Sequence, residues 1–324
     1  MLYNQYKCLQ QYLDGVAQDV YKKGDLVKTA DFDTIEDCEN NISPHPPTPS
    51  KGCFAWVNTT DNVIKVQTSS TEWLTESVSP VCIDKPTYLR FGYDKEQNPY
   101  ARNITSLDIT RIDTSSINDM TRMFYYCTSL GSLDLGSFNT DSCITMKDTF
   151  RGCHKLVSID LSNFNTAKVQ SMQGMFEACK SLVSLDLSNF NTSECTNFSD
   201  MFFYCESLVS IDLSSFNTSK GTYFSGMFYE CSSLGSLDLS NLDTSNCLSF
   251  RDMFYNCASL VSLDLSNFNT SKGTDFSSMF YKCNNLTHIK CKQAFKDWCI
   301  SNQDEIKLPT TMREGGSGTW EIVG

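Results

Sequence analysis

The strongest constraint on this chain is a sequence that repeats every 26 residues without insertion or deletion. The stretch SLVSLDLSNFNTSECTNFSDMFFYC, which ends at Cys205, returns as SLVSIDLSSFNTSKGTYFSGMFYEC. Cysteine holds the same position in seven successive units, at Cys127, Cys153, Cys179, Cys205, Cys231, Cys257 and Cys283. A partial copy begins at Ser106, so we assign residues 107–290 to one array. Units this short bury their apolar side only by stacking on their neighbours, which predicts a continuous core through the array.

The apolar pattern of each unit predicts one short strand followed by one short helix. In LVSLDLSNF, Leu185 and Leu187 flank Asp186, which is the alternation of a half-buried strand. The NTS that follows supplies turn and N-cap chemistry through its side-chain oxygens. In FSDMFFYC, apolar residues stand at i, i+3, i+4 and i+7, which predicts one buried stripe of a helix. These residues are Phe198, Met201, Phe202 and Cys205.

The spacing Leu-x-x-Leu-x-Leu-x-x-Phe matches the leucine-rich repeat. More specifically, LxxLDLSxFNTS followed by MFxxC resembles the bacterial surface protein (BspA-type) leucine-rich repeat over residues 107–290. The resemblance implies an α/β repeat fold, a leucine-rich-repeat solenoid of about seven strand–helix units. Members of that family are surface adhesins and interaction proteins, so the resemblance implies binding rather than catalysis.

The array is flanked by predicted caps. Residues 53–106 are expected to cover its front, and residues 291–324 its back. The sequence of the back cap predicts a helix in KQAFKDWCISN, with Ala294, Phe295, Trp298 and Cys299 along its inward side. After a Gly-rich turn it predicts a closing strand in TWEIV.

Residues 1–44 are predicted to be a small, β-rich attachment module, with a hairpin signal at Asp14-Gly15. A stiff, Pro-rich linker follows at residues 45–52. The pattern YKKGD…T…EDCE before this linker is similar, over a short stretch, to small modules in structural proteins of phages of gut Bacteroidetes. That likeness implies that residues 1–44 join other virion proteins.

Charge and hydropathy exclude several classes of partner. The formal net charge is −12, and no cluster of basic residues alternates with aromatic ones, so we expect no nucleic-acid partner. No apolar run approaches the length of a transmembrane helix, so we expect no membrane insertion. The first residues, MLYNQYKCLQQYLDG, lack the apolar core of a signal peptide, so we do not expect classical secretion.

The sixteen cysteines are expected to be reduced and packed. Seven follow the repeat, and Cys143, Cys195 and Cys247 share a position that Ile117 and Val169 fill in other units. A thiol that exchanges with valine and isoleucine behaves as a small apolar group. Helices in successive units would lie ~8–10 Å apart, which is too far for a disulfide. The pattern therefore favours folding in a reducing compartment.

No catalytic constellation emerges from the sequence, so we expect neither an enzyme nor a cofactor. His45 lies in the Pro-rich linker, His154 in a variable position of the repeat, and His288 in the last unit. A zinc site would have to use the residues that gather near the end of the array, which are Cys283, His288, Cys291 and Cys299. Their spacing lacks the paired Cys-x-x-Cys of common zinc sites, so we favour packed thiols there.

Two sets of residues are candidates for ligand binding. The first is a ladder of aspartates on the outer face of the strands, called here the aspartate ladder: Asp134, Asp160, Asp186, Asp212, Asp238 and Asp264. It suits a cation or a basic ligand, although neighbouring groups such as Ser184, two residues before Asp186, and the local backbone could equally satisfy it. The second is an aromatic ribbon on the helix side, Phe203, Tyr229, Tyr255 and Tyr281. It suits contact with proteins or sugars, or else shields the neighbouring helix.

These observations predict a non-enzymatic binding or adhesion protein. The setting we expect is the virion of a gut bacteriophage, assembled in the bacterial cytoplasm, where the array is displayed for attachment. The partner would then be a protein or glycan on a host or mucosal surface. The alternative is a bacterial surface adhesin that is exported without a signal peptide.

Overall fold

The computed structural model describes residues 117–323 and, before them, residues 92, 102, 105, 114 and 115 and the backbone of four strands. Those strands are β1 (Val27–Lys28), β2 (Phe54–Asn58), β3 (Val63–Gln67) and β4 (Trp73–Ser77), which form an antiparallel sheet in that order. β1 belongs to the predicted attachment module and pairs with β2 of the predicted front cap. The hairpin predicted at Asp14-Gly15 lies outside the described residues.

The array is a stack of rows in which each row pairs with the next at the same position of the repeat. The second sheet contains β5 (Ser236–Asp238), β6 (Ser262–Leu265), β7 (His288–Lys292) and β8 (Thr319–Val323), all parallel and in that order. In the earlier rows, isolated parallel bridges such as Asp119–Thr145 and Ser171–Asn197 keep the same register. The chain is therefore a repeat structure with a short parallel sheet at one end.

One core runs through the array because the same positions of each row are buried. The inward positions include those that the sequence predicted, which in one row are Phe198, Met201, Phe202 and Cys205. The ring of Phe202 stacks on Phe176 of the preceding row and Phe228 of the next, with centroids 5.9 and 5.6 Å apart. Stacked rings at this spacing fill the interior without gaps between rows.

The helix predicted in each unit is wrong. From residue 117 to the start of β7 the structure contains no helix, and the segment after each strand is a run of β-turns. In one row, the N–H groups of Met201, Phe203 and Cys205 each donate to the carbonyl three residues earlier. Asp200 and Tyr204 have φ values of 59° and 58°, which a right-handed helix excludes.

Hydrogen bonds between rows explain this backbone. The N–H of Asp200 donates to the carbonyl of Ser225 at 2.9 Å, and that of Tyr204 to Tyr229 at 2.7 Å. Packed helices lie ~8–10 Å apart, whereas hydrogen-bonded strands lie ~4.8 Å apart. A helix in every row does not fit the closer spacing. Turns whose N–H groups point alternately along the row and towards the next row do fit it.

The cysteines are packed as predicted, although the distance argument based on helices no longer applies. All twelve described cysteines are buried, and the eleven from Cys143 to Cys299 form no disulfide bond. Burial raises the pKa of the Cys153 thiol to about 12. Such thiols are protonated at neutral pH and are therefore poor nucleophiles.

The predicted helix and strand after the array are both present. Helix α1 (Gln293–Ser301) buries Phe295 and Cys299 against the last row, whereas the predicted inward residue Ala294 is exposed. β8 closes the parallel sheet by pairing with β7. Within the described part of the chain, no helix is long and apolar enough to cross a membrane.

Candidate functional site

Polar side chains that recur in the repeat are used in hydrogen bonds between rows. The Thr192 hydroxyl donates to the Asn217 carbonyl at 2.9 Å and accepts from the Asn217 N–H at 2.9 Å. The Asn189 amide donates to the carbonyls of Leu161 and Phe164, both at 2.9 Å. Equivalent bonds recur in other rows. The repeated SNFNT segment therefore stabilises the stack of rows, and its Asn and Thr side chains already have hydrogen-bond partners within the protein.

The aspartate ladder lies on the outer side of the strand segments, with five members exposed and Asp264 half-buried. In each member, one carboxylate oxygen accepts a backbone N–H from two residues later, which forms an Asx turn. For Asp186 this donor is Ser188, at 2.9 Å. The bond from Ser188 holds the pKa of Asp186 below its usual value, so the carboxylate is ionised at neutral pH. The local backbone thus engages one oxygen of each ladder carboxylate.

An exposed apolar stripe, which was not predicted from the sequence, stands three residues before the ladder in four of the rows. This valine stripe consists of Val157, Val183, Val209 and Val261, which are 51, 44, 54 and 48 % exposed. The sequence did contain a signal for this stripe, because each valine stands between the first buried leucine of its row and an outward-facing serine. Valine is so common in strands that its recurrence alone did not indicate a surface. We call the valine stripe and the aspartate ladder together the strand face.

The strand face carries no basic residue over six rows. Its segments read GSLDLGS, VSIDLSN, VSLDLSN, VSIDLSS, GSLDLSN and VSLDLSN, all within the described part of the chain. In the next row Lys290 stands at the aspartate position, and its Nζ lies 2.8 Å from Asp264. Among the described residues, Asp264 is the one ladder member with a basic partner. Five negative charges on this face therefore lack a described basic partner.

The aromatic ribbon forms a stack of rings on the turn side. Phe203, Tyr229 and Tyr255 lie nearly parallel, with successive centroids 4.2 and 4.3 Å apart, and Tyr281 follows at 4.9 Å with a tilt of 45°. The first three are half-buried, and Tyr281 is exposed. Each ring packs on the next ring rather than on a helix, so the ring faces are largely covered. A role for these rings in binding stays a prediction.

Earlier rows carry an ion-pair cluster at the positions that the ribbon occupies later. The Arg151 guanidinium lies 2.8 Å from Glu177 and 3.5 Å from Asp148. Burial raises the pKa of Glu177 to about 7, against the opposing effect of Arg151. Burial also raises the pKa of Asp200 to about 6. The turn side therefore changes from charged to aromatic along the array.

The two described histidines contact a tyrosine and a glutamate, respectively. The ring of His154 meets Tyr126 edge-on at 6.0 Å. Nε2 of His288 lies 3.2 Å from Glu321 of β8. His45 is outside the described residues. The absence of catalysis stays a prediction.

The residues considered for zinc have other partners in this structure. The Cys283 thiol donates to the carbonyl of Phe254 at 2.8 Å, as the equivalent thiols of other rows do. Within the part of the chain that the structure describes, no group of three or more His, Cys, Asp or Glu side chains is arranged to hold a metal ion.

Comparison with known proteins identifies the repeat region but assigns no activity. No curated protein matches the chain. One family model, described as "Mycoplasma protein of unknown function, DUF285", matches twice, over residues 96–210 and 203–307. The two matches together span the whole array and part of each predicted cap. Because this model covers more than half of the sequence, the chain belongs to the DUF285 family.

Proposed function

We propose that this protein is a non-enzymatic binding protein and that its array is a leucine-rich-repeat solenoid of the BspA type, with β-turns in place of helices. The repeat spacing and the stacked, in-register rows support the solenoid. A solenoid presents a long surface on which neighbouring rows act together. Such a surface suits recognition of an extended partner better than it suits the enclosed pocket of an enzyme.

The observation that carries the proposal is the composition of the strand face. The recurring Asn and Thr side chains are used between rows, but the valine stripe remains about half exposed. Contiguous exposed apolar side chains bordered by charged ones are typical of protein interaction sites. A protein partner therefore fits this face better than a glycan, which would need uncovered aromatic faces or many free hydrogen-bonding groups.

The setting of this binding is proposed from the sequence. We propose a virion component of a gut bacteriophage, attached to other virion proteins through residues 1–44, and a bacterial surface adhesin is the alternative. The short likeness of residues 1–44 to phage modules supports the first setting. Proteomics of purified phage particles separates the two, because the adhesin would be found in the bacterial envelope fraction instead.

Capture of partners from a bacterial or mucosal surface extract tests the binding function. The full chain is immobilised beside the double variant Val183→Thr/Val209→Thr, which keeps the β-branched shape but adds hydroxyls to the strand face. A matched control, Ile144→Thr/Leu248→Thr, changes two exposed apolar residues at a different position of the repeat. We expect the strand-face variant to lose the captured protein and the control to keep it. Equal capture by all three proteins, or capture by none, would contradict the proposal.

A further inference from the structure

We infer that the strand face binds a lysine-bearing segment of a protein partner, whose ammonium groups pair with the aspartate ladder. The inference names the partner class for the binding function proposed above and rests on it. It is carried by three observations: the unbalanced charge of the face, one ion pair inside the protein, and the geometry of the carboxylates and the valine stripe.

The charge of the strand face calls for a cationic partner. Asp160, Asp186 and Asp212 each accept a backbone hydrogen bond from two residues later, which keeps them ionised. Hydrogen-bonded strands lie ~4.8 Å apart, so successive carboxylates repel one another. No lysine or arginine of the six strand segments relieves this repulsion. A partner with positive charges along its length would relieve it in every row at once.

The protein already contains one such pair. Lys290 replaces aspartate in the row after Asp264, and its ammonium lies 2.8 Å from the Asp264 carboxylate. The hydrogen bond to Asp264 raises the pKa of Lys290 above its usual value. An ammonium group can therefore pair with a ladder carboxylate without disrupting the Asx turn, because Asp264 still accepts the Ser266 N–H at 3.0 Å.

Asp264 shows how a serine and an ammonium share one carboxylate, because the Ser266 N–H and hydroxyl both donate to Oδ1 while Lys290 reaches Oδ2. Oδ1 of Asp186 accepts the Ser188 N–H, and Oδ1 of Asp212 accepts the Ser214 N–H. The valine stripe lies three residues before these carboxylates in each row, and it suits the aliphatic stem of a lysine, which often packs along apolar surface while its ammonium reaches a charge. Lysine therefore matches both halves of the strand face.

Asparagine provides a substitution that removes charge and keeps the turn. Within the same repeat, the Asn191 side-chain oxygen accepts the Ser193 N–H at 3.1 Å, which is the same Asx turn. The variant Asp186→Asn/Asp212→Asn should therefore fold normally. The control Glu194→Gln/Glu206→Gln removes the same number of charges from exposed positions away from the strand face, where the two carboxylates pair with Lys220 and Lys180.

The probe is a fluorescent peptide that alternates lysine with serine, titrated into the full chain and followed by anisotropy. In an extended conformation all its lysines lie on one side. We expect Asp186→Asn/Asp212→Asn to weaken binding about tenfold and the control pair less than about twofold. Binding should also weaken as salt is added. Acetylation of the lysines, which removes their charge, should abolish binding.

Several results would overturn the inference. They are failure of the wild-type chain to bind the peptide, equal weakening in both variants, and retained binding of the acetylated peptide. A rise in Tm with calcium chloride that Asp186→Asn/Asp212→Asn removes would assign the ladder to a metal ion instead. If a valine-dependent partner is captured from the extract but the lysine peptide does not bind, the binding function stands and the inference about lysine fails.

Discussion

The thiol of Cys205 donates a hydrogen bond to the carbonyl oxygen of Phe176 in the preceding row, at 3.2 Å. The same bond joins Cys179 to Phe150, and it recurs in four further rows at Cys153, Cys231, Cys257 and Cys283. Each of these carbonyls faces the buried interior, where an unpaired acceptor is costly. The recurring cysteine is therefore a hydrogen-bond donor between rows of the core, whereas the thiols at the position that valine also fills, such as Cys195, donate within their own row.

We expect Cys205→Ala to lower the free energy of unfolding by about 1–3 kcal/mol, because it leaves a small cavity and removes a donor from the Phe176 carbonyl. Cys195→Val should cost less than about 1 kcal/mol, since Val169 fills the equivalent position in another row. Urea unfolding under reducing conditions measures both. Equal losses would show that the thiol acts only through its volume.

A second prediction concerns a position of the turns that has a positive φ in every row. Aspartate and glycine alternate there in successive rows, as at Asp200, Gly226 and Asp252. Gly226 has φ of 61°, and a Cβ placed there would collide with the carboxylate of Asp200 in the preceding row. We expect Gly226→Ala to destabilise the protein by about 1–3 kcal/mol, from backbone strain together with this contact.

Gly235→Ala is the matched control for Gly226→Ala. A Cβ at Gly235 meets no atom within 4 Å, and its φ is not left-handed. This change should therefore leave the midpoint of denaturant unfolding nearly unaltered or raise it slightly. A loss at Gly235 as large as that at Gly226 would disprove the explanation from turn geometry.

The Asx turns of the aspartate ladder predict different effects for two substitutions at one site. Asp186→Asn should keep the bond from the Ser188 N–H and reduce repulsion along the ladder, so the midpoint of thermal unfolding should be unchanged or higher. Asp186→Ala removes the acceptor of the Ser188 N–H and should lower the midpoint of thermal unfolding below that of the wild type. The reverse order, with Asn the worse substitute, would mean that the charge stabilises the fold.

The ion-pair cluster predicts a loss of stability between mildly acidic and neutral pH. Burial raises the pKa of Glu177 to about 7, above that of an exposed glutamate, so the folded state binds the proton more tightly than the unfolded state. The free energy of unfolding therefore falls as pH rises from about 4.5 to 7, by at most about 3 kcal/mol. Asp200, with a pKa of about 6, acts in the same direction, while Arg151 opposes both.

Urea unfolding of the wild type and Glu177→Gln at pH 5 and pH 8 tests this contribution. The variant loses the ion pair to Arg151, so the comparison uses only the difference between the two pH values in each protein. We expect that difference to be smaller in Glu177→Gln. Equal differences in the two proteins would place the pH dependence elsewhere.

The stacked rings predict that Tyr229→Ser/Tyr255→Ser lowers stability by about 1–2 kcal/mol per ring, because each ring contacts its neighbours at 4.2–4.9 Å. Phe228→Ala, at a fully buried position, should cost about 3–5 kcal/mol. Chemical denaturation measures both. If the tyrosine pair leaves stability unchanged, its rings are free surface, and partner capture with the same variant then tests them as contacts.

The period of the repeat was sufficient to predict which positions of the array are buried. Phe202 and Cys205 are inward because every unit places apolar residues there, and burial of a recurring apolar position does not depend on the backbone that carries it. The change from aspartate to Lys290 likewise marks the last row, and α1 and β8 follow where the pattern stops. These features depend only on the local sequence of each unit, so they can be predicted from a single sequence.

The path of the backbone and the partners of the polar groups depend on contacts between rows. Spacing at i, i+3, i+4 and i+7 is satisfied by a helix and equally by paired turns, and the choice falls to turns because the N–H of Asp200 bonds to Ser225 in the next row. The Phe176 acceptor of Cys205 and the stacking of Tyr229 on Tyr255 are likewise decided by contacts between rows. Hydrogen bonds and ring contacts between residues about 26 positions apart form only after the rows have stacked, so the tertiary structure alone decides them.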